Sequence, residues 1–118
     1  MNALTITIRD AETGPVLGLA GDLDYDQAPR LRQALEALTL RPGQRLVMDL
    51  SRIRFCDSSG ITVLIVARNL AVAAGADMAL AGVPDNTLRI LRIVGLDQVF
   101  PLHPDVATAL ADGPADPS

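Results

Sequence analysis

Apolar residues recur along the chain with two different periods, and the alternation between those periods outlines its architecture. From Leu4 to Ile8 apolar side chains alternate with threonines, as in a strand with one face exposed. After the turn residues Thr13, Gly14 and Pro15, a second strand is expected from about Val16 to Ala20, pairing with the first as a hairpin. The period then lengthens: Leu31, Leu35 and Leu38 recur at helical spacing, preceded by Asp24 as a capping aspartate and by Pro29, which a first helical turn tolerates. That helix ends near Arg41-Pro42-Gly43. Leu46 to Leu50 is largely apolar on both faces, as expected for a central strand. Ser51 to Ser59 reads as a polar turn, and the apolar run from Gly60 to Ala74 as a long helix stopped by Gly75. Met78 to Ala81 predicts another strand, and Asp85 or Asn86 caps a helix with Leu88, Leu91 and Val94 on one side and Gly95 at its end. Val99 to Leu102 predicts the last strand, and Asp105 to Leu110 a short final helix.

The order β-β-α-β-α-β-α-β-α implies an α/β fold: a mixed, mostly parallel β-sheet of about five strands, antiparallel only at its start, with about four helices as crossovers. With 118 residues and 49% hydrophobic content, a single domain is expected over residues 1–111, with a disordered tail at 112–118, where the sequence turns small, polar and proline-containing.

Composition then removes whole classes of function. All ten basic residues are arginine, so phosphate loops of the Walker type and Schiff-base chemistry, which need lysine, are excluded. The net charge is −4, the arginines are dispersed, and Tyr25, Phe55 and Phe100 are the only aromatic residues. There is neither a basic stripe nor a stacking platform, and direct nucleic-acid binding is not expected. No apolar run reaches the length of a membrane span, the longest being broken at Arg68 and Asn69, and MNALTITIRD has no leader pattern, so a cytoplasmic location is expected. Cys56 is the single cysteine and can form neither an internal disulfide nor a cysteine metal cluster.

Three enzymatic or metal readings fail on missing parts. Asp22-Leu23-Asp24-Tyr25-Asp26 imitates the start of a calcium loop, but Gln27 and Gln33 stand where that loop needs glycine and glutamate. The same D-x-D imitates a haloacid-dehalogenase phosphatase nucleophile, which would require a downstream lysine. A serine hydrolase lacks its G-x-S-x-G turn, and the one histidine, His103, lies between Pro101 and Pro104 and reads as a loop residue. Cys56 is either a reactive thiol close to a helix N-terminus or, fitting its size better, a small buried filler. No catalytic residue, cofactor or metal is therefore expected, and the protein is read as a non-enzyme.

Chemistry concentrates instead at Asp57, Ser58 and Ser59, where the long helix begins. Such residues cap many helices without further purpose. A helix start also carries unpaired N–H groups and partial positive charge, so a phosphate on either serine would be stabilised there.

FCDSSG behind an apolar strand, GDLDYDQAPRLRQAL behind the hairpin, and LRILRIVGLDQVFPL near the end follow one another in a family order. In these segments the chain resembles STAS domains, specifically the bacterial anti-sigma factor antagonists (anti-anti-sigma factors), from Leu4 to about Leu110. The resemblance implies phosphorylation of Ser59, with Ser58 the alternative, by an anti-sigma factor that carries a histidine-kinase-like ATPase domain and acts as a serine kinase. The unphosphorylated form would bind that anti-sigma factor and free a sigma factor, and a serine phosphatase would reset the switch. Cys56, where a larger apolar residue is common, and Thr62, where a small residue is common, depart from the family pattern. At about 100° per residue Ser58, Thr62, Ile65, Asn69 and Val72 share one helical stripe, with Ile65 set among polar neighbours. With Asp24 and Asp57 they are the expected partner surface, and Asp22, Asp24, Asp26 and Asp57 are expected at the same end of the sheet. A second class stays open: a constitutive accessory or scaffold subunit, as in the STAS-like components of lipid-transport ATP-binding complexes or stress-signalling assemblies.

Overall fold

The computed structural model describes residues 3–112. Its strands are β1 (Thr5–Ala11), β2 (Gly14–Leu23), β3 (Arg45–Cys56), β4 (Asp77–Ala81) and β5 (Leu102–His103). Its helices are α1 (Ala28–Glu36), α2 (Ser58–Ala73), α3 (Asp85–Ile93) and α4 (Val106–Asp112), with a 3₁₀ turn at Leu96–Gln98. The strands lie in the order β1-β2-β3-β4-β5, β1 antiparallel to β2 and the rest parallel. The fold is thus the α/β sheet that the sequence pattern implies. The tail expected over 112–118 falls, from residue 113 onward, outside the described residues.

Side chains alternate across the sheet. On one face Leu17, Leu19, Leu46, Met48, Leu50, Met78 and Leu80 pack with Leu31 and Leu35 of α1, Leu64, Ala67 and Ala71 of α2, and Leu91 of α3. On the other, Val16, Val47 and Ala81 meet Ala109 of α4. Arg45 ties that side together, its guanidinium pairing with the Asp77 carboxylate at 3.1 Å and donating to the Ala109 carbonyl at 3.4 Å. Helix α2 is apolar nearly all round because several of its faces are covered, as expected of a helix inside a small domain.

Five expectations are corrected. Ser51 to Cys56 is not a turn but the second half of β3. Gly18 pairs with Asp49, Ala20 with Arg52 and Asp22 with Phe55, so the offset grows from 31 to 32 to 33 and β3 takes two extra residues. These bulges change the inward spacing to Leu50, Ile53, Cys56, a period of three that hides the strand from a search for alternation. In α3 the inward residues are Thr87 and Leu91, while Val94 is 57% exposed. Its N-cap position is Pro84, and neither Asp85 nor Asn86 caps it; the Asn86 side chain instead accepts from the Thr87 N–H at 2.8 Å. The last strand starts after Pro101, not at Val99: Phe100 is a buried core residue, and proline, having no N–H, accepts from Leu80 through its carbonyl at 2.9 Å. His103 accordingly lies in β5, paired with Ala81, and not in a loop.

Candidate functional site

The bulged β3 and the extended β2 stop side by side, Leu23 paired with Cys56. Two short loops therefore leave the carboxyl ends of adjacent parallel strands together, the position where open α/β sheets present their functional residues. One loop, Asp24 to Gln27, leads into α1, and the other is the single residue Asp57 leading into α2.

Asp57 fastens the two. It is the N-cap of α2, its Oδ1 accepting from the Gly60 N–H at 3.1 Å, while its Oδ2 accepts from the Tyr25 N–H of the other loop at 3.1 Å. Asp24 closes its own turn, its carboxylate accepting from the Gln27 N–H at 3.0 Å and its carbonyl from the Ala28 N–H at 2.8 Å. Both aspartates thus shape the surface by holding backbone. Asp57→Ala removes the carboxylate acceptors of two backbone N–H groups and is expected to cost about 2 kcal/mol, whereas Asp57→Ser, which keeps a cap for Gly60 but cannot reach Tyr25, costs about 1 kcal/mol. Urea unfolding of the three proteins checks that order.

With Gly60 capped, the Ser58 and Ser59 amides have no acceptor among the described residues, and neither hydroxyl makes an internal hydrogen bond. The two serines look in different directions. Ser59 is half-buried and lines a cavity of about 500 Å³ between α1 and α2, with Tyr25, Asp26, Pro29, Arg32 and Thr62. Ser58 is exposed and borders a smaller groove of about 400 Å³ between α2 and α3, lined by Ile61, Thr62, Ile65, Ile90, Val94 and Leu96. Thr62 borders both, its hydroxyl donating to the Ser58 carbonyl at 2.9 Å.

The stripe on α2 is therefore real in part. Ser58, Thr62 and Ile65 meet along the groove, and Asn69 and Val72 continue it as exposed residues farther down the helix. Ile65 does not stand among polar neighbours: it packs against the core and shares the groove with Ile90 of α3 and Val94 at its end, residues that the wheel of α2 alone cannot show. Asp22, Asp24, Asp26 and Asp57 do gather at one end of the sheet, as expected. Missed in the sequence were Tyr25, Pro29 and Arg32 on one wall and Ile90, Val94 and Leu96 on the other.

Cys56 is buried beneath this site, 6% exposed. Burial pushes its thiol up to about 12, with the Asp57 carboxylate adding to the effect, so it is fully protonated at neutral pH. It is the small filler and not a reactive nucleophile.

The chain is thus a mixed, mostly parallel α/β domain that presents a serine pair at a capped helix start beside its strand ends. The sequence pattern of the family described as "Mlab, STAS domain" matches residues 6–104, and the chain belongs to the STAS domain family. It is similar to the anti-sigma-B factor antagonist of Listeria monocytogenes, 28% identical over 82% of this chain and 86% of that protein. It is also similar to the anti-sigma-F factor antagonist RsfB of Mycobacterium tuberculosis, 27% identical over 92% and 88%. Among solved structures, an anti-sigma factor antagonist from Mycobacterium paratuberculosis superposes with a TM-score of 0.82 at 30% identity, covering 94% of each chain.

Proposed function

We propose that the protein is an anti-sigma factor antagonist acting in the cytoplasm, switched by phosphorylation of Ser59. The observation that carries this reading is the Ser59 hydroxyl: among the described residues it has no hydrogen-bond partner, and it sits in the first turn of α2 and opens onto a cavity at the surface. Kinship with proteins named for antagonising anti-sigma factors supports the partner class. The unmodified form binds an anti-sigma factor with a histidine-kinase-like ATPase domain, through Ser58, Thr62, Ile65 and Asn69 on α2 beside the Asp24 and Asp57 loops. That partner transfers the γ-phosphoryl group of ATP to the Ser59 oxygen, which gives up its proton as ADP leaves, and a serine phosphatase restores the hydroxyl by hydrolysis, water taking the phosphoryl group as inorganic phosphate.

The phosphate adds close to two negative charges to a surface already carrying Asp24, Asp26 and Asp57. At a helix start it is tolerated by the fold, so binding is lost through repulsion and bulk at the partner. Phosphopeptide mapping after incubation with the cognate anti-sigma factor and ATP is expected to place the modification on Ser59. In calorimetric titration, Ser59→Ala binds like the unmodified protein, Ser59→Asp about tenfold more weakly, and the phosphoprotein more than about a hundredfold more weakly, because a carboxylate has less charge and fewer acceptors. Equal binding by all forms, each folded by circular dichroism, overturns the switch and favours a static scaffold.

A further inference from the structure

We propose that Arg32 holds the phosphate on Ser59 within the protein itself, its guanidinium closing on the phosphoryl oxygens across the cavity between α1 and α2. The inference rests on Ser59 being the modified residue and adds how the modified state is held. Arg32 and Ser59 line the same cavity, whose volume of about 500 Å³ accommodates a phosphate. Among the described residues the Arg32 guanidinium makes no hydrogen bond or ion pair. The neighbouring Arg30, by contrast, is committed to the Leu4 carbonyl and to Gln27, and Arg45 to Asp77. Arg32 is thus an uncommitted cation facing an uncommitted hydroxyl.

The chemistry of the cavity wall suits a phosphate more than a carboxylate. A guanidinium presents paired N–H donors that match two phosphoryl oxygens, and the exposed Tyr25 phenol is a further donor on the same wall. Asp26 is the opposing charge: it lines the cavity, repels the phosphate and competes for Arg32. Thr62 contributes bulk only, its hydroxyl proton being given to the Ser58 carbonyl. A phosphate held in this way fills the cavity, so a partner side chain seated there in the unmodified complex is excluded by volume as well as by charge.

Phosphoserine installed at position 59 during translation makes the test independent of any kinase. The second ionisation of the phosphate, followed by ³¹P NMR, is near pH 6 for a free phosphoserine. In the wild-type phosphoprotein it is expected about 0.5–1 unit below its value in Arg32→Gln, with Arg32→Lys between them and Asp26→Asn lower still. The helix start acts equally on all four, so the differences report the side chains. Because Arg32 is exposed, Arg32→Gln folds normally, which circular dichroism verifies. Identical titration curves for wild type and Arg32→Gln overturn the proposal. Should the curves differ while the phosphoprotein still binds the anti-sigma factor undiminished, the switch fails and the phosphate clamp stands. Should binding be abolished while the curves coincide, the clamp fails and the switch stands.

Discussion

Above pH 9 the protein is expected to lose stability by about 1.4 kcal/mol for each pH unit, levelling off only near pH 12, and Cys56→Ala is expected to remove most of that slope. The native thiol is held up to about 12 by burial and then by the Asp57 carboxylate, against 9.0 for an ordinary thiol. Between those values the folded protein keeps the proton and the unfolded chain releases it. The unfolded state therefore binds fewer protons, and unfolding becomes easier as pH rises; below pH 9 both states are protonated and the effect vanishes. Integrated over the window, the loss approaches about 4 kcal/mol, a large share of the stability of a small domain. Guanidinium unfolding at pH 8, 9.5 and 10.5 reads the slope directly. A flat profile in the wild-type protein, or an equal slope in Cys56→Ala, shows that water reaches the thiol. The packing of Cys56 under the helix start would then be looser than described.

How much of this site was legible in the sequence depended on whether local spacing carried the information. The start of α2 was, because Asp57-Ser58-Ser59 ahead of an apolar run states its cap by residue type, and the Asp57 carboxylate caps Gly60. The parallel core was legible for the same reason: Leu46 to Leu50 and Met78 to Ala81 are short apolar strands between helical segments. The second half of β3 was not. Its two bulges replace alternation by a spacing of three, and SRIRFC shows as many polar as apolar side chains, of which only Ile53 and Cys56 turn inward while Phe55 stays half exposed. That one misreading also hid the reason the two loops meet, since it is the length of β3 that carries Cys56 to the level of Leu23. The second walls of both hollows were invisible on different grounds. Arg32 and Ile90 lie 27 and 31 residues from Ser59, and no pattern within one helix reports which faces of two helices oppose each other. His103 was read from its two flanking prolines, although a proline at the edge of a strand forbids only donation and leaves its carbonyl free to pair.

Gly60→Val is expected to destabilise the protein by about 3 kcal/mol or more, and Gly60→Ala by about 1–2 kcal/mol, the gain in helix propensity of roughly 1 kcal/mol over glycine offsetting part of the clash. A Cβ at position 60 would stand 2.6 Å from the Leu23 carbonyl oxygen, 2.7 Å from Leu23 Cγ and 2.8 Å from Cys56 Sγ. Nothing there gives way cheaply: Leu23 is wholly buried, Cys56 is 6% exposed, and the Leu23 carbonyl also accepts from the Asp57 N–H at 3.3 Å. The strain can be relieved only by lifting the first turn of α2 away from the strand ends, which moves Ser59 relative to Arg32 and widens the cavity between them. Stability and partner binding are therefore expected to fall together, unlike Ser59→Asp, which lowers binding alone. Cys56→Ala in the Gly60→Ala background separates the contacts, because it removes the sulfur but not the backbone oxygen. The double variant should recover less than half of the loss, measured as a coupling energy from urea unfolding of the four proteins. Full recovery would mean that the sulfur alone sets the approach of α2 to β2, and a neutral Gly60→Val would mean that the helix start is free to move without the strands.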